Sequence, residues 1–166
     1  MISHHDIGLA VADDAAHIAL MSRDLIEHGL GWRWTPPRIL KAIRDPVTNV
    51  AVARIQGKLV GFALMQYKDD EAHLLLLAIN PACRRNGIGT ALMAWLEACA
   101  LTAGIGFIYL EARARNDEAR AFYRRLGYSE VKRVRGLYAE HEDGVRLAKD
   151  LWATPPPTRP LDGRAD

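Results

Sequence analysis

The feature that most constrains the fold is one stretch in which an apolar strand leads through a glycine-containing loop into a helix. Residues 72–79 are mostly apolar, and eight residues are too few for an ordinary buried helix but suit a central strand. An Asn-Pro pair at 80–81 ends that strand, and residues 87–103 then show helical spacing of apolar side chains. We therefore expect a sheet with helices on its faces.

The other segments extend this pattern to the whole chain. Apolar and β-branched runs between turn residues predict further strands at 7–12, 49–55, 59–67, 107–112, 128–134 and 145–151. Capping residues and prolines predict further helices from 13 to about 29, from 35 to 43 and from 116 to 126. The predicted order is β-α-α-β-β-β-α-β-α-β-β, an α/β (α+β) fold with a mixed sheet.

The size of the chain suits one domain. A chain of 166 residues with 49% hydrophobic residues buries enough surface to fold without disulfide bonds or structural metals. We expect one domain over residues 1–152. The proline-rich segment 153–166 cannot form regular ladder bonds, and we expect it to be a mobile tail.

Charge and composition exclude several classes of function. The formal net charge of +2 gives no electrostatic basis for binding nucleic acid or a membrane surface. The two cysteines form no metal-binding motif, so we expect no metal. The first residues lack the pattern of a signal peptide, which predicts a cytoplasmic protein. We expect a monomer or a homodimer.

The loop between the central strand and the helix is a candidate phosphate site. Glycine lets backbone N–H groups approach an anion, and a helix N-terminus adds unpaired N–H groups. Arg84 and Arg85 add positive charge before Gly87 and Gly89. Either these residues bind a pyrophosphate, or the glycines form a tight turn beside two solvated arginines.

Two ordered motifs resemble the GNAT superfamily of acetyl-CoA-dependent N-acetyltransferases. The first is Arg-x-x-Gly-x-Gly over residues 84–89. The second resembles a block of the ribosomal-protein alanine N-acetyltransferase branch and comprises Leu110-Glu111-Ala112-Arg113, Asn116, Ala119, Phe122-Tyr123 and Leu126-Gly127-Tyr128. The resemblance covers roughly residues 50–138.

The resemblance implies a specific architecture and a specific co-substrate. It implies the GNAT fold, with about four helices on a mostly antiparallel sheet of 6–7 strands that splays between strands 4 and 5. Acetyl-CoA would lie in that gap. By this resemblance, its binding residues would be Leu77, Ala78, Ile79, Arg84, Arg85, Asn86, Gly87, Ile88, Gly89, Thr90, Asn116, Ala119 and Tyr123.

The resemblance also implies a catalytic pair. Glu111 would be the general base that removes a proton from the amine, and Tyr123 the general acid that protonates the leaving thiolate. We expect burial at the end of an apolar strand to raise the pKa of Glu111 toward neutrality. The alternatives are a surface carboxylate paired with Arg113 or Arg115, and a Tyr123 that only fills the core.

The acceptor side of the site is less well defined. Trp32 and Trp34 lie in the loop where the family receives its acceptor, so both would line that site, or one would cap the core. Tyr138 would help to form its wall. His73 is interpreted as a strand residue with a possible part in a proton relay, and Cys83 as an ordinary loop thiol.

The sequence leaves open two classes of acceptor and one non-catalytic function. A protein N-terminal α-amine is expected from the branch that the motifs resemble. Ala139 and Leu147 depart from that branch, so a small amine such as a polyamine, an amino acid or an aminoglycoside is the alternative. A non-catalytic acetyl-CoA sensor is a third interpretation, which the retained Glu111 and Tyr123 oppose.

Overall fold

The computed structural model describes residues 6–153. Residues 154–166, most of the expected mobile tail, lie outside the described residues. The strands are β1 Asp6–Leu9, β2 Thr48–Ile55, β3 Lys58–Lys68, β4 Glu71–Ile79, β5 Phe107–Arg113, β6 Ser129–Ala139 and β7 Glu142–Asp150. The helices are α1 Ala15–Met21, α2 Pro36–Arg44, α3 Ile88–Thr102 and α4 Asp117–Arg125.

Within residues 6–153, seven strands form one mixed sheet in the order β1-β2-β3-β4-β5-β7-β6. All neighbours pair antiparallel except β4 and β5, which are parallel. The element order and the mostly antiparallel sheet confirm the sequence-based prediction.

The two parallel strands are joined over only part of their length. Their register runs from Glu71 opposite Phe107 to Leu74 opposite Leu110 and stops there. Beyond this point the rest of β4 pairs only with β3, and the rest of β5 pairs only with β7. The sheet therefore splays between its fourth and fifth strands, as predicted, and leaves two strand edges facing a gap.

A bulge in β4 coincides with the start of this gap. The pairing with β3 shifts by one residue at Leu75, which has no opposite partner. Side chains of a strand alternate between faces, so one extra residue reverses the face of all that follow. Leu74 accordingly packs in the cluster that contains α3, whereas Leu76 packs in the cluster on the opposite face with α1 and α2.

The region after β1 departs from the single long helix that the sequence predicts. A 3₁₀ turn at Ala12–Asp14 leads into α1, and a π-helical turn at Ser22–Ile26 follows α1. Such π turns concentrate at functional sites. At the other end, β6 extends to Ala139 rather than to residue 134, so Tyr138 lies on a strand.

Among residues 6–153, no helix is long and apolar enough to cross a membrane.

Candidate functional site

The loop after β4 presents a run of free backbone donors. Among the described residues, the backbone N–H groups from Arg85 to Thr90 form no hydrogen bond, and the first bond of α3 joins the Ala91 N–H to the Gly87 carbonyl. Arg85 and Gly87 have positive φ values of 68° and 74°, and these two residues form the turn that leads into α3. Six successive donors at a helix N-terminus form a cradle that suits a pyrophosphate.

The starts of α3 and α4 approach each other beside this cradle. A Cβ atom on Gly89 would lie 3.2 Å from the Phe122 ring, so glycine permits the close approach. Asn116 caps α4, because its side-chain oxygen accepts a hydrogen bond of 3.0 Å from the Ala119 N–H. This confirms the predicted cap; the amide nitrogen of Asn116 lies at the exposed end of the helix.

Glu111 lies one residue beyond the last parallel pair, where the gap between the strands begins. Its Oε2 atom lies 2.6 Å from His73 Nε2, and its Oε1 atom accepts a hydrogen bond of 3.0 Å from Arg146 Nη2. Both carboxylate oxygens are therefore engaged, by side chains from β4 and β7. Arg113 and Arg115, the partners considered from the sequence, bind Glu142 instead.

These two partners decide the ionisation of Glu111. Burial by itself would raise the pKa of Glu111, but the hydrogen bonds and charges of His73 and Arg146 outweigh burial and hold that pKa below its ordinary value. The expectation of a pKa raised toward neutrality is therefore wrong. Glu111 is an ionised carboxylate at neutral pH.

Two aromatic side chains frame the Glu111 group. The His73 ring stacks on Tyr109 with centroids 4.2 Å apart, and the Arg146 guanidinium lies 5.2 Å from the same tyrosine ring. Burial raises the pKa of Tyr138 to about 12, and the Glu111 charge adds to this shift, so the phenol remains protonated. Tyr138 thus lies on the Glu111 side of the sheet, consistent with the acceptor wall expected for it.

Tyr123 belongs to the core through its ring. It is 8% exposed and packs edge-on against Phe122 and Tyr128. Burial raises its pKa above the ordinary phenol value, so its hydroxyl keeps its proton.

The loop between α1 and α2 is organised by a carboxylate that the sequence analysis did not single out. Glu27 is 7% exposed, and its Oε1 atom accepts hydrogen bonds from the Arg33 and Trp34 N–H groups. Its Oε2 atom accepts one from the Ser22 hydroxyl. One buried carboxylate thus fixes the backbone of the loop that carries both tryptophans.

The two tryptophans differ in environment. Trp32 is 38% exposed and donates its indole N–H to the Trp34 carbonyl. Trp34 packs partly against the core on the α1 and α2 face and lies under the Arg38 guanidinium. Of the two alternatives from the sequence, the structure favours the one in which one tryptophan caps the core.

Arg113 joins this loop to the sheet. Its guanidinium donates hydrogen bonds to the Ile26 and His28 carbonyls and to the Glu142 carboxylate. The sequence analysis considered Arg113 only as a partner of Glu111 and did not predict its contact with this loop. Arg146 was missed entirely, because its position opposite Glu111 depends on the register of β5 with β7.

Comparison with known proteins identifies a matching family. A family model described as "Acetyltransferase (GNAT) family" matches residues 18–128, about two thirds of the chain. This range contains both motifs that carried the resemblance.

Individual relatives agree with this match. The chain is 38% identical over 99 residues to an uncharacterized N-acetyltransferase of Methanocaldococcus jannaschii, covering 59% of this chain and 64% of that protein. It is 36% identical over 95 residues to the [ribosomal protein bS18]-alanine N-acetyltransferase of Escherichia coli, covering 55% of this chain and 64% of that protein. The matched region is thus less than two thirds of the length of either relative.

Solved structures share the fold over nearly the whole chain. The crystal structure of the ribosomal-protein-S18-alanine N-acetyltransferase from Escherichia coli matches with a TM-score of 0.75 and 26% identity, covering 92% of this chain and 97% of that one. An N-acetyltransferase from Thermoplasma acidophilum in complex with coenzyme A matches with a TM-score of 0.77 at 17% identity, covering 89% and 99%. The second likeness shows the fold alone.

Proposed function

The chain belongs to the GNAT acetyltransferase family, and from this premise we propose that it transfers an acetyl group from acetyl-CoA to a primary amine. The observation that carries the proposal is the cradle of six free N–H groups at the end of a strand whose edge has lost its neighbour. The N–H cradle fits a diphosphate, and the free strand edge fits a chain that carries amide groups.

The residues present fit acetyl-CoA as a co-substrate. The N–H groups of residues 85–90, with the side chains of Arg84 and Arg85, would hold its pyrophosphate. The free edge of β4 at residues 77–79 would pair with its pantetheine amides. Asn116, Ala119 and Tyr123 would border the remaining part of the arm. When bound, acetyl-CoA supplies an activated thioester.

We propose catalytic roles for two residues on opposite faces of the sheet. Glu111, ionised on the acceptor side, promotes loss of the amine proton, because an ammonium has no lone pair with which to attack. Tyr123, whose hydroxyl keeps its proton, is the donor to the departing sulfur. Both substrates are held together, so no side chain needs to carry the acetyl group.

For the acceptor we propose a protein N-terminal α-amine. The relative from Escherichia coli is named as an N-acetyltransferase of an alanine of a ribosomal protein. Arg113, two residues after Glu111 on β5, bonds to the Ile26 and His28 carbonyls, so the loop that carries the exposed Trp32 borders the Glu111 side of the sheet. A small amine remains the second candidate, since Ala139 and Leu147 still depart from the branch. One domain over residues 1–152, a cytoplasmic location and a monomer or homodimer also stay predictions.

The experiment is acetyl-CoA-dependent release of thiol across a panel of amines. Peptides with Ala, Ser or Met at the N-terminus are compared with lysine peptides blocked at the N-terminus, polyamines, amino acids and aminoglycosides. We expect turnover with the free N-terminal peptides and loss of that turnover in Glu111→Gln, with acetyl-CoA affinity unchanged.

Other results would redirect the proposal. Turnover with small amines alone would refute the protein acceptor and keep the acetyl transfer. Acetyl-CoA binding without turnover on any amine, unaffected by Glu111→Gln, would support the non-catalytic sensor. Absence of acetyl-CoA binding by the folded protein would refute the proposal as a whole.

A further inference from the structure

The Glu111 carboxylate is poorly placed to act as a base by itself. One oxygen accepts from Arg146 and the other contacts His73 Nε2 at 2.6 Å. A contact this short between an imidazole nitrogen and an ionised carboxylate requires a proton between them. That proton is on Nε2, so His73 donates to Glu111 and the lone pair of a neutral imidazole is on Nδ1.

The Nδ1 atom of His73 is free to accept a proton. Within residues 6–153 the only hydrogen bond of the His73 ring joins Nε2 to Glu111, so Nδ1 has no partner there. The His73 side chain is 25% exposed, against 14% for Glu111. The more accessible member of the pair is therefore the histidine.

His73 also lies at the point where the strands separate. It is the third of the four β4 residues paired with β5, one residue before the last pair. The side chains of His73 and Glu111 meet on the face of the sheet that carries α1, α2 and the loop held by Glu27. This is the face from which we propose that the acceptor enters.

Charged and titratable groups surround the His73–Glu111 pair. The Glu111 carboxylate contacts the His73 ring, so its negative charge offsets the positive charge that forms on the ring when the amine proton is transferred. Within residues 6–153, other titratable groups near the pair are Tyr109 on β5, Tyr138 on β6 and Glu71 on β4.

We propose that His73 is the catalytic base of this acetyltransferase, and that Glu111 and Arg146 are positioning residues that act through it. The inference rests on the proposed function and refines the role that the family resemblance implies for Glu111. It assigns the proton to an imidazole, the side chain that exchanges protons near neutral pH.

The proton balance is simple. The acceptor ammonium gives one proton to Nδ1 of His73, and the electron pair of that N–H bond becomes the lone pair that attacks. His73 becomes an imidazolium bound to the Glu111 carboxylate and later releases its proton to water. The lone pair forms the C–N bond to the acetyl carbon, and the C–S bond of the thioester breaks as Tyr123 gives its proton to the departing sulfur. The amine nitrogen loses its second proton to solvent and Tyr123 regains one from solvent, so nothing is oxidised or reduced.

The first test uses the unliganded protein and needs no turnover. In protein labelled with ¹⁵N-histidine, NMR correlation of ring protons and nitrogens identifies which nitrogen of His73 carries hydrogen. At pH 8 we expect a proton on Nε2, shifted downfield by its short bond to Glu111, and none on Nδ1. In Glu111→Gln we expect the Nε2 proton of His73 to lose this downfield shift. A proton on Nδ1 with a bare Nε2 would overturn the proposal.

The second test is kinetic. His73→Gln keeps a donor for Glu111 but cannot carry the proton, so we expect kcat to fall about 100-fold or more. Its acetyl-CoA affinity stays within about twofold, and its activity recovers as pH rises because the acceptor then arrives deprotonated. His17→Gln is the matched control, since His17 is an exposed histidine on α1. Activity of His73→Gln within about threefold of wild type would overturn the proposal and show that Glu111 acts as the base without His73.

Chemical rescue separates catalysis from folding. Because the His73 side chain is partly exposed, free imidazole can enter the space left by His73→Ala. We expect added imidazole to restore turnover of His73→Ala and to leave Glu111→Gln inactive. Lack of rescue in a variant that unfolds like wild type would contradict the role of base. Wild-type protein with the expected NMR signature and no transfer activity would refute the proposed function instead.

Discussion

Substitution of Glu27 by alanine removes three hydrogen bonds from the loop that carries Trp32 and Trp34. The Ser22 hydroxyl loses its acceptor at 2.9 Å, and the Arg33 and Trp34 N–H groups lose theirs at 2.7 and 3.2 Å. Ser22 is fully buried and remains without a partner, whereas the two loop N–H groups can turn toward water.

The magnitude follows from these contacts. A buried polar group left without a partner costs about 1–3 kcal/mol, and bonds to a charged acceptor add about 1.5 kcal/mol or more. We expect a loss of about 2–4 kcal/mol, which leaves a domain of ordinary stability folded. At this chain length that loss lowers Tm by roughly 5–15 °C.

The assay combines thermal unfolding with steady-state kinetics. Glu27→Ala should raise KM for the acceptor several-fold and leave acetyl-CoA affinity unchanged, because the loop faces the acceptor side and not the N–H cradle. Glu27→Gln is the matched control: it can accept from both N–H groups and donate to Ser22, so it should stay close to wild type. Wild-type Tm and acceptor KM in Glu27→Ala would refute the organising role of this carboxylate.

Three further predictions test the ion pairs and the catalytic site. Burial would raise the pKa of Asp14, but hydrogen bonds from Arg54 and a backbone N–H lower it overall, so its stabilising contribution is lost as pH falls through that lowered pKa. Urea unfolding should show Asp14→Asn destabilised by about 1–3 kcal/mol at pH 7, with the difference shrinking below about pH 4. The double substitution Arg84→Ala and Arg85→Ala should weaken acetyl-CoA binding roughly tenfold and reduce its salt dependence, measured by calorimetry. Tyr123→Phe should lower kcat about 100-fold with acetyl-CoA affinity and Tm near wild type. An unchanged kcat would show that Tyr123 only packs in the core and donates no proton.

The sheet and the phosphate loop were predictable because local signals specify them. The apolar run of residues 72–79, the Asn-Pro stop and the glycines at 87 and 89 each act within a few residues. The Asn116 cap is local in the same sense, and the structure confirms its bond to the Ala119 N–H. Both motifs therefore led to the correct family and fold.

The electrostatics of Glu111 could not be predicted in this way. They depend on His73, 38 residues before it, and on Arg146, 35 residues after it, which meet only when the strands pair in their actual register. Without that register, burial was the only visible influence, and the direction inferred for the pKa was wrong.

The bulge in β4 is a second feature without a local signal. Residue 75 is a leucine within a run of leucines, and nothing in the sequence indicates that it lacks an opposite residue on β3. The bulge nevertheless decides which later side chains face α3 and which face α1. The contacts of Glu27 were hidden for a similar reason, since two of its three donors are backbone groups of a loop.

The central claim is that this chain transfers acetyl groups from acetyl-CoA to an amine at the point where β4 and β5 separate. The most direct test incubates the protein with ¹³C-labelled acetyl-CoA and a peptide that has both a free N-terminus and a lysine, and locates the label by tandem mass spectrometry. We predict label on the N-terminal nitrogen with wild-type protein, and labelling about 100-fold slower or less at neutral pH with His73→Gln or Glu111→Gln. Peptide that stays unlabelled while the folded protein binds acetyl-CoA, or labelling at the wild-type rate in both variants, would contradict the account.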